Sequence, residues 1–125
     1  MAIEQNDRAT AIAKYQEIAA DTKFAPPHRD LGLIRATTLE FDSIKPEQVI
    51  ARMQPITKPG NPWFGSAGEL TAMAMVKQGK KTEAGRLFAA IAADRQVPDS
   101  IRARAVQIAG SLGVDASASM PTPAQ

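Results

Sequence analysis

The chain contains no cysteine and only one histidine, His28. The absence of cysteine excludes disulfides, thiolate zinc sites, iron–sulfur clusters and a thiol nucleophile. A single histidine is too few for a metal site built on imidazole ligands. We therefore expect neither a metal nor a cofactor in this protein.

Aromatic residues are scarce as well, at 5%, whereas 23 of the 125 residues are alanine. Because alanine is the best helix former and occupies little space, this composition favours closely packed helices. It argues against a β-sandwich, which needs more β-branched and aromatic residues. The length suits one domain with its own core.

The chain also lacks a strong charge imbalance, since 15 basic and 13 acidic residues leave a net charge of +2. We expect no nucleic-acid partner, because such a partner requires a basic stripe with aromatic residues for stacking. No run reaches the roughly 18 apolar residues of a membrane span. Residues 1–10 are too polar for a signal peptide.

Prolines and glycines divide the chain into pieces of helical length, and apolar residues recur in them every three or four positions. This spacing predicts an all-α protein. We expect six helices, near residues 6–22, 26–41, 46–55, 66–78, 80–95 and 98–112.

Several of these boundaries carry local signals. Ser66 and Glu69 have the spacing of a capping box, which predicts that the fourth helix begins at Ser66. Pro46 and Pro98 suit the first turn of a helix, where a missing amide proton costs nothing. Gly79 suits a tight turn between two helices.

The segment from Gly113 onward is small, polar and contains prolines. We assign residues 1–112 to the helical domain and residues 113–125 to a flexible C-terminal tail. The alternative is an extended segment that lies against the core, with Val114 or Met120 as its anchor.

The sequence contains an internal repeat whose two copies are 73 residues apart. Residues 7–39 then overlay 80–112 without a gap, with eight identities in 33 positions, and Tyr15 falls on Phe88. The shift leaves room for one more helix pair between the copies. The sequence therefore predicts three helical hairpins of about 34–37 residues, the unit size of helical solenoids.

The spacing within a unit resembles the tetratricopeptide repeat. Ala72 is a small residue before the turn at Gly79, and Ala84 precedes Phe88 by four positions. Ala11 and Tyr15 repeat this last spacing. The tryptophan and tyrosine typical of the first repeat helix are absent, and the prolines are displaced. The resemblance implies a right-handed stack of antiparallel helical hairpins, that is, a tetratricopeptide-like α-solenoid.

A closer resemblance covers roughly residues 7–112. It is carried by the runs KYQEIAAD at 14–21, RDL at 29–31, PGNPW at 59–63 and SAGEL at 66–70. These runs are similar to the C-terminal half of a bacterial envelope family that includes the ancillary subunit of the Sec translocon. The resemblance implies a periplasm-facing module that contacts other proteins, with chaperone-like activity and with a membrane anchor that this chain does not contain.

The titratable residues form no recognisable catalytic constellation. His28 follows two prolines, and its counterpart in the other copy is Ile101. Asp21 and Asp94 occupy equivalent positions at helix ends, so we expect each to cap the next turn or to meet an arginine. Glu40 and Asp42, which flank a phenylalanine, have the same structural interpretation.

The loop at residues 60–66 opens a helix but lacks the lysine and the preceding strand of a phosphate-binding loop. We expect Trp63 to cover the core here. The alternative is that Trp63 is exposed as an anchor for a partner, because tryptophan is favoured at interface hot spots.

If the hairpins stack, the first helix of each unit lines the concave side. Counting from the small residues Gly32, Ala72 and Ala105 predicts which side chains face inward. They are Arg29, Leu33, Glu69, Met73, Lys77, Arg102 and Val106. Such a groove mixes arginine for carboxylates with methionine for adaptable apolar contact. The alternative for the basic residues is a solvated face, or pairing with acids within the fold.

These patterns predict a non-catalytic protein–protein interaction module whose partners are other proteins. The alternative is self-association as a homodimer, because Ala11, Ile12 and Tyr15 leave an uncovered face on the N-terminal helix. An enzyme or a nucleic-acid binder is the third alternative.

Overall fold

The computed structural model describes the backbone of residues 2–122 and the side chains of residues 7–122. Over this range the protein is all-helical and contains no strand. The helices are α1 (Ala2–Ala20), α2 (Pro26–Glu40), α3 (Pro46–Met53), α4 (Phe64–Lys77), α5 (Lys81–Ala93) and α6 (Asp99–Ser111). A short 3₁₀ turn follows at Ser117–Ser119. The prediction of six helices in an all-α fold is confirmed.

Proline and glycine set several of the helix boundaries. Pro46 lies in the first turn of α3, as expected. Gly79 and Gly113 have φ of +80° and +89°, a region that costs little only for glycine. After each glycine, the next amide donates to a carbonyl five residues back, as in a Schellman motif. Because these bonds satisfy free carbonyls, α4 and α6 end there.

Two predicted helix starts need correction. The helix α4 begins at Phe64 rather than Ser66, and Trp63 occupies its N-cap position. Glu69 does not return to the Ser66 amide, because its carboxylate pairs with Arg104 instead. Pro98 lies one residue before the first turn of α6, whose first residue is Asp99.

Each helix packs mainly on its neighbours along the chain, with smaller contacts between α2 and α4 and between α4 and α6. The interior divides into two clusters that share α4. The C-terminal cluster is centred on Phe88, which is fully buried together with Ala72 and Ala105. The N-terminal cluster joins Ile34 and Met53 to Ala67 and Ala74. The helix α4 is therefore the centre of the fold.

The turns after α1 and α5 have the same structure. Asp21 Oδ1 accepts a hydrogen bond from the Lys23 amide, and Asp94 Oδ1 accepts one from the Gln96 amide, both at 2.9 Å. The backbone hydrogen bonds around both aspartates also correspond. The expectation that both aspartates cap a turn is confirmed, and the two copies detected in the sequence share this local structure.

The segment after Gly113 lies against α5 and α6. Val114 packs on the C-terminal cluster, and Ala116 is buried. Arg102 Nη2 donates to the Ser119 carbonyl at 3.1 Å, which ties the 3₁₀ turn to α6. Of the two anchors considered from the sequence, Val114 makes this contact, whereas Met120 is 43% exposed.

None of the helices within residues 2–122 combines the length and the apolar character that crossing a bilayer requires.

Candidate functional site

A surface depression lies between α2, α4 and α6. It has a volume of about 430 Å³. Its walls are Leu31, Ile34, Arg35, Thr38, Trp63, Ser66, Glu69, Leu70, Met73, Ile101 and Arg104. The spacing of 31, 34, 35 and 38 places the α2 members on one face of that helix.

A second depression of about 270 Å³ continues the first toward the C-terminal ends of α2 and α4. Both are lined by Thr38, Leu70 and Met73, so they form one continuous surface, which we call the central groove. Phe41 and Asp42 close its far end. Met73 is 43% exposed, so a flexible apolar side chain is available in the groove.

An ion pair connects α4 and α6 across the groove. Arg104 donates from Nε and Nη2 to the two carboxylate oxygens of Glu69, both at 2.8 Å. This hydrogen bonding raises the pKa of the Arg104 guanidinium above its ordinary value. Because the bidentate geometry fixes both side chains, the pair sets the spacing of the groove walls at this point.

A second charged group closes the C-terminal end of the groove. The ammonium of Lys77 lies 3.2 Å from Asp42 Oδ1 and 4.3 Å from the centre of the Phe41 ring. Both the carboxylate and the ring face attract a cation. Lys77 thereby joins the end of α4 to the residues that follow α2.

Arg35 differs from these cations, because no acid pairs with it among the side chains of residues 7–122. It is exposed on the wall formed by α2. The other cations of the groove, Arg104 and Lys77, are neutralised by Glu69 and Asp42. The free charge of the groove is therefore positive and is concentrated at Arg35.

The residues predicted to face inward are divided between three surfaces. Glu69 and Met73 line the central groove, and Lys77 lies at its end. Arg29 and Leu33 line a separate depression between α1 and α2.

Arg102 and Val106 lie on the opposite face of α6. Arg102 Nε donates to the Ala92 carbonyl at 2.8 Å, and Val106 is buried in the C-terminal cluster. Of the residues predicted to face inward, the structure therefore brings Glu69 and Met73 together in the central groove but not Arg29, Leu33, Arg102 and Val106. The apolar spacing of Leu31, Ile34 and Thr38 was the signal that identifies the groove face of α2.

Trp63 has a buried part and an accessible part. It is half-buried and packs on the N-terminal cluster, which agrees with the core-covering interpretation. Its indole Nε1 donates to the Pro27 carbonyl at 2.8 Å, which joins the start of α4 to the start of α2. The remaining ring surface forms part of the groove wall.

We expect Trp63→Phe to lower the free energy of unfolding by about 1 kcal/mol, because the indole hydrogen bond is lost while a ring remains. Urea denaturation followed by circular dichroism measures this change. Pro27→Ala, which keeps the accepting carbonyl, is the control. Unchanged stability of the phenylalanine variant would contradict the structural role of the Nε1 bond.

The other polar residues considered from the sequence are Glu40, Asp42 and His28, and each has different neighbours. Glu40 accepts hydrogen bonds from Arg52 and Gln16, so it joins α1, α2 and α3. Asp42 pairs with Lys77, and His28 is exposed at the start of α2.

Comparison with protein-family models, with curated proteins and with solved structures gives no match to this chain.

Proposed function

We propose that this protein is a non-catalytic protein–protein interaction module that binds a peptide segment in the central groove. The observation that carries the proposal is the continuity of the two depressions across α2, α4 and α6. A peptide needs such an elongated surface, with apolar contacts and a few oriented charges.

The lining supports this choice of ligand. Leu31, Leu70 and Ile101 offer apolar surface, and Met73 adapts to different side chains. The ion pairs at Glu69 and Lys77 give fixed polar features at two points of the groove.

The finer architecture is part of the same proposal. In it, α1–α2, α3–α4 and α5–α6 are successive layers of a tetratricopeptide-like stack, and the groove is its concave face. The matching turns at Asp21 and Asp94 support this arrangement. The resemblance to the envelope family extends the proposal to a translocon-associated or chaperone-like role on the periplasmic side of the inner membrane.

The test uses a random peptide library selected on the full chain, with selected peptides then measured by fluorescence anisotropy. We expect Met73→Glu to weaken their binding at least about tenfold, because a carboxylate enters the apolar part of the groove. Ala90→Glu is the matched control, since it adds the same charge at an exposed position of α5.

Equal affinity of the selected peptides for Met73→Glu and for the unchanged chain would refute the groove as the binding site. Failure to select any peptide would refute the proposed ligand class.

Self-association is the second candidate. Ala11, Ile12 and Tyr15 are partly exposed on α1, which supports a contact between copies through this helix. Sedimentation equilibrium across a concentration series tests it, and a monomer at every concentration would exclude it.

A further inference from the structure

A further depression adjoins the central groove, with which it shares Leu31 and Arg35. It is a depression of about 260 Å³ between α1 and α2, which we call the end cavity. Its walls include Tyr15, Ile18, Phe24, His28, Gly32 and Arg35. Phe24 is 43% exposed, so a large apolar side chain is available at this surface.

The internal repeat shows which element packs on the equivalent surface of the second copy. A shift of 73 residues carries these six positions onto Phe88, Ile91, Val97, Ile101, Ala105 and Ile108. In the second copy, this surface is covered by α4. Val97, the counterpart of Phe24, is only 5% exposed there. The same position is therefore buried by a helix in one copy and open to solvent in the other.

The contacts of α4 show which side chains a docked helix needs. A Cβ added at Gly65 would lie 2.8 Å from Val97 Cγ1, and one added at Gly68 would lie 2.8 Å from Ile91 Cδ1. Ala72 follows on the same stripe and is fully buried. Small residues at positions i, i+3 and i+7 thus allow α4 to approach α5 closely.

Charge distinguishes the two surfaces. Ile108 has Arg35 as its counterpart in the first copy, and Ile101 has His28. No acid pairs with Arg35 among the described side chains. The end cavity therefore has an arginine where the second copy has an isoleucine, and a carboxylate on a docked helix would complete a charge-assisted hydrogen bond with it.

We propose that the end cavity binds an α-helix of a partner protein, with glycine or alanine at positions i, i+3 and i+7 and an acidic residue within one turn of the stripe. A second folded copy has no such helix to offer through α4, because its small-residue stripe is already buried against α5. The end cavity and the central groove share Arg35, but Tyr15 and Phe24 line the end cavity alone, so a substitution at Phe24 distinguishes helix binding there from peptide binding in the groove.

The probe is a peptide with the sequence of residues 63–78, held helical by a hydrocarbon staple at positions 73 and 77. Both positions are exposed on α4, so the staple leaves the small-residue stripe free. Stapling removes most of the cost of ordering a short helix, which otherwise weakens binding. Fluorescence anisotropy with the full chain measures its affinity.

We expect saturable binding that Phe24→Glu weakens at least about tenfold. Arg35→Glu should weaken it as well, because the cavity then loses its unpaired cation. Met73→Glu in the protein should leave binding unchanged, because it alters only the central groove. A peptide in which Gly65 and Gly68 are both leucine should bind at least about tenfold more weakly.

Three results would overturn the proposal. One is the absence of saturable binding of the stapled peptide, and another is equal binding to the unchanged chain and to Phe24→Glu. The third is a concentration-dependent dimer in sedimentation equilibrium that Phe24→Glu abolishes, because the end cavity would then belong to an interface between copies of this chain.

Discussion

Phe88→Ala is expected to lower the free energy of unfolding by about 3–5 kcal/mol. Phe88 is the largest fully buried side chain and lies where α4, α5 and α6 meet. Removing its ring loses apolar burial and leaves a cavity that three helices cannot readily close. Because small domains are stable by only about 5–15 kcal/mol, this single change removes a large part of the total.

The repeat provides a matched control for this prediction. Tyr15 is the counterpart of Phe88 but is only partly buried, since no helix within residues 2–122 covers it as α4 covers Phe88. Tyr15→Ala should therefore cost less than about 2 kcal/mol. Urea denaturation of both variants, followed at 222 nm, gives the comparison. Equal losses for the two variants would show that the coverage of Phe88 by α4 contributes little.

Gly32→Ala is the second large effect, and it has the opposite sign from the usual gain of replacing a helical glycine by alanine. A Cβ at Gly32 would lie 2.8 Å from the carbonyl oxygen of Tyr15 and 3.2 Å from the amide nitrogen of Ala19. Both are backbone atoms, so α1 and α2 must separate. We expect a loss of about 1–3 kcal/mol in the free energy of unfolding.

Gly110→Ala is the control, because this glycine lies within α6 and a Cβ there would meet no atom within 4 Å. The same substitution should raise the free energy of unfolding by about 0.5–1 kcal/mol, through helix propensity alone. Thermal and urea denaturation of both variants show whether each substitution lowers or raises the free energy of unfolding. A gain in stability for Gly32→Ala would contradict the close approach of α1 and α2.

Close approach at Gly32 also has a functional consequence. Gly32 lies in the wall of the end cavity, and its counterpart Ala105 lies beneath α4 in the second copy. A tighter α1–α2 pair holds Tyr15 and Ile18 in fixed positions around the cavity. Binding to a surface formed in advance costs less ordering of the protein.

The helix count and the turns could be read from the sequence because they depend on local chemistry. Proline in the first turn of α3, glycine at the end of α4 and the aspartates at the two equivalent turns act within a few residues of their own positions. The interval of 73 residues was also visible, because two segments that form the same turn and the same helix pair retain the same residues.

Contacts between residues far apart in the sequence decide which side chains line the central groove, so local patterns could not predict them. Glu69 has capping-box spacing from Ser66, yet it pairs with Arg104, which lies 35 residues away along the chain. Nothing within one helical turn distinguishes these two roles. Which face of α2 lines the groove likewise depends on where α4 packs against it. Arg29 and Leu33, which counting from Gly32 predicted to face inward, line a depression between α1 and α2.

The amino-acid sequence by itself determined that this protein is helical, where the turns between its six helices lie, and that its N-terminal and C-terminal helix pairs share one pattern. These features depend on helix propensity, turn geometry and apolar spacing, which are local properties. Only the tertiary structure decided which faces are covered. Phe24 and Val97 occupy equivalent positions, yet one is open and the other is buried. The difference arises because α4 packs against one end of the fold, and no helix within residues 2–122 packs against the other in the same way.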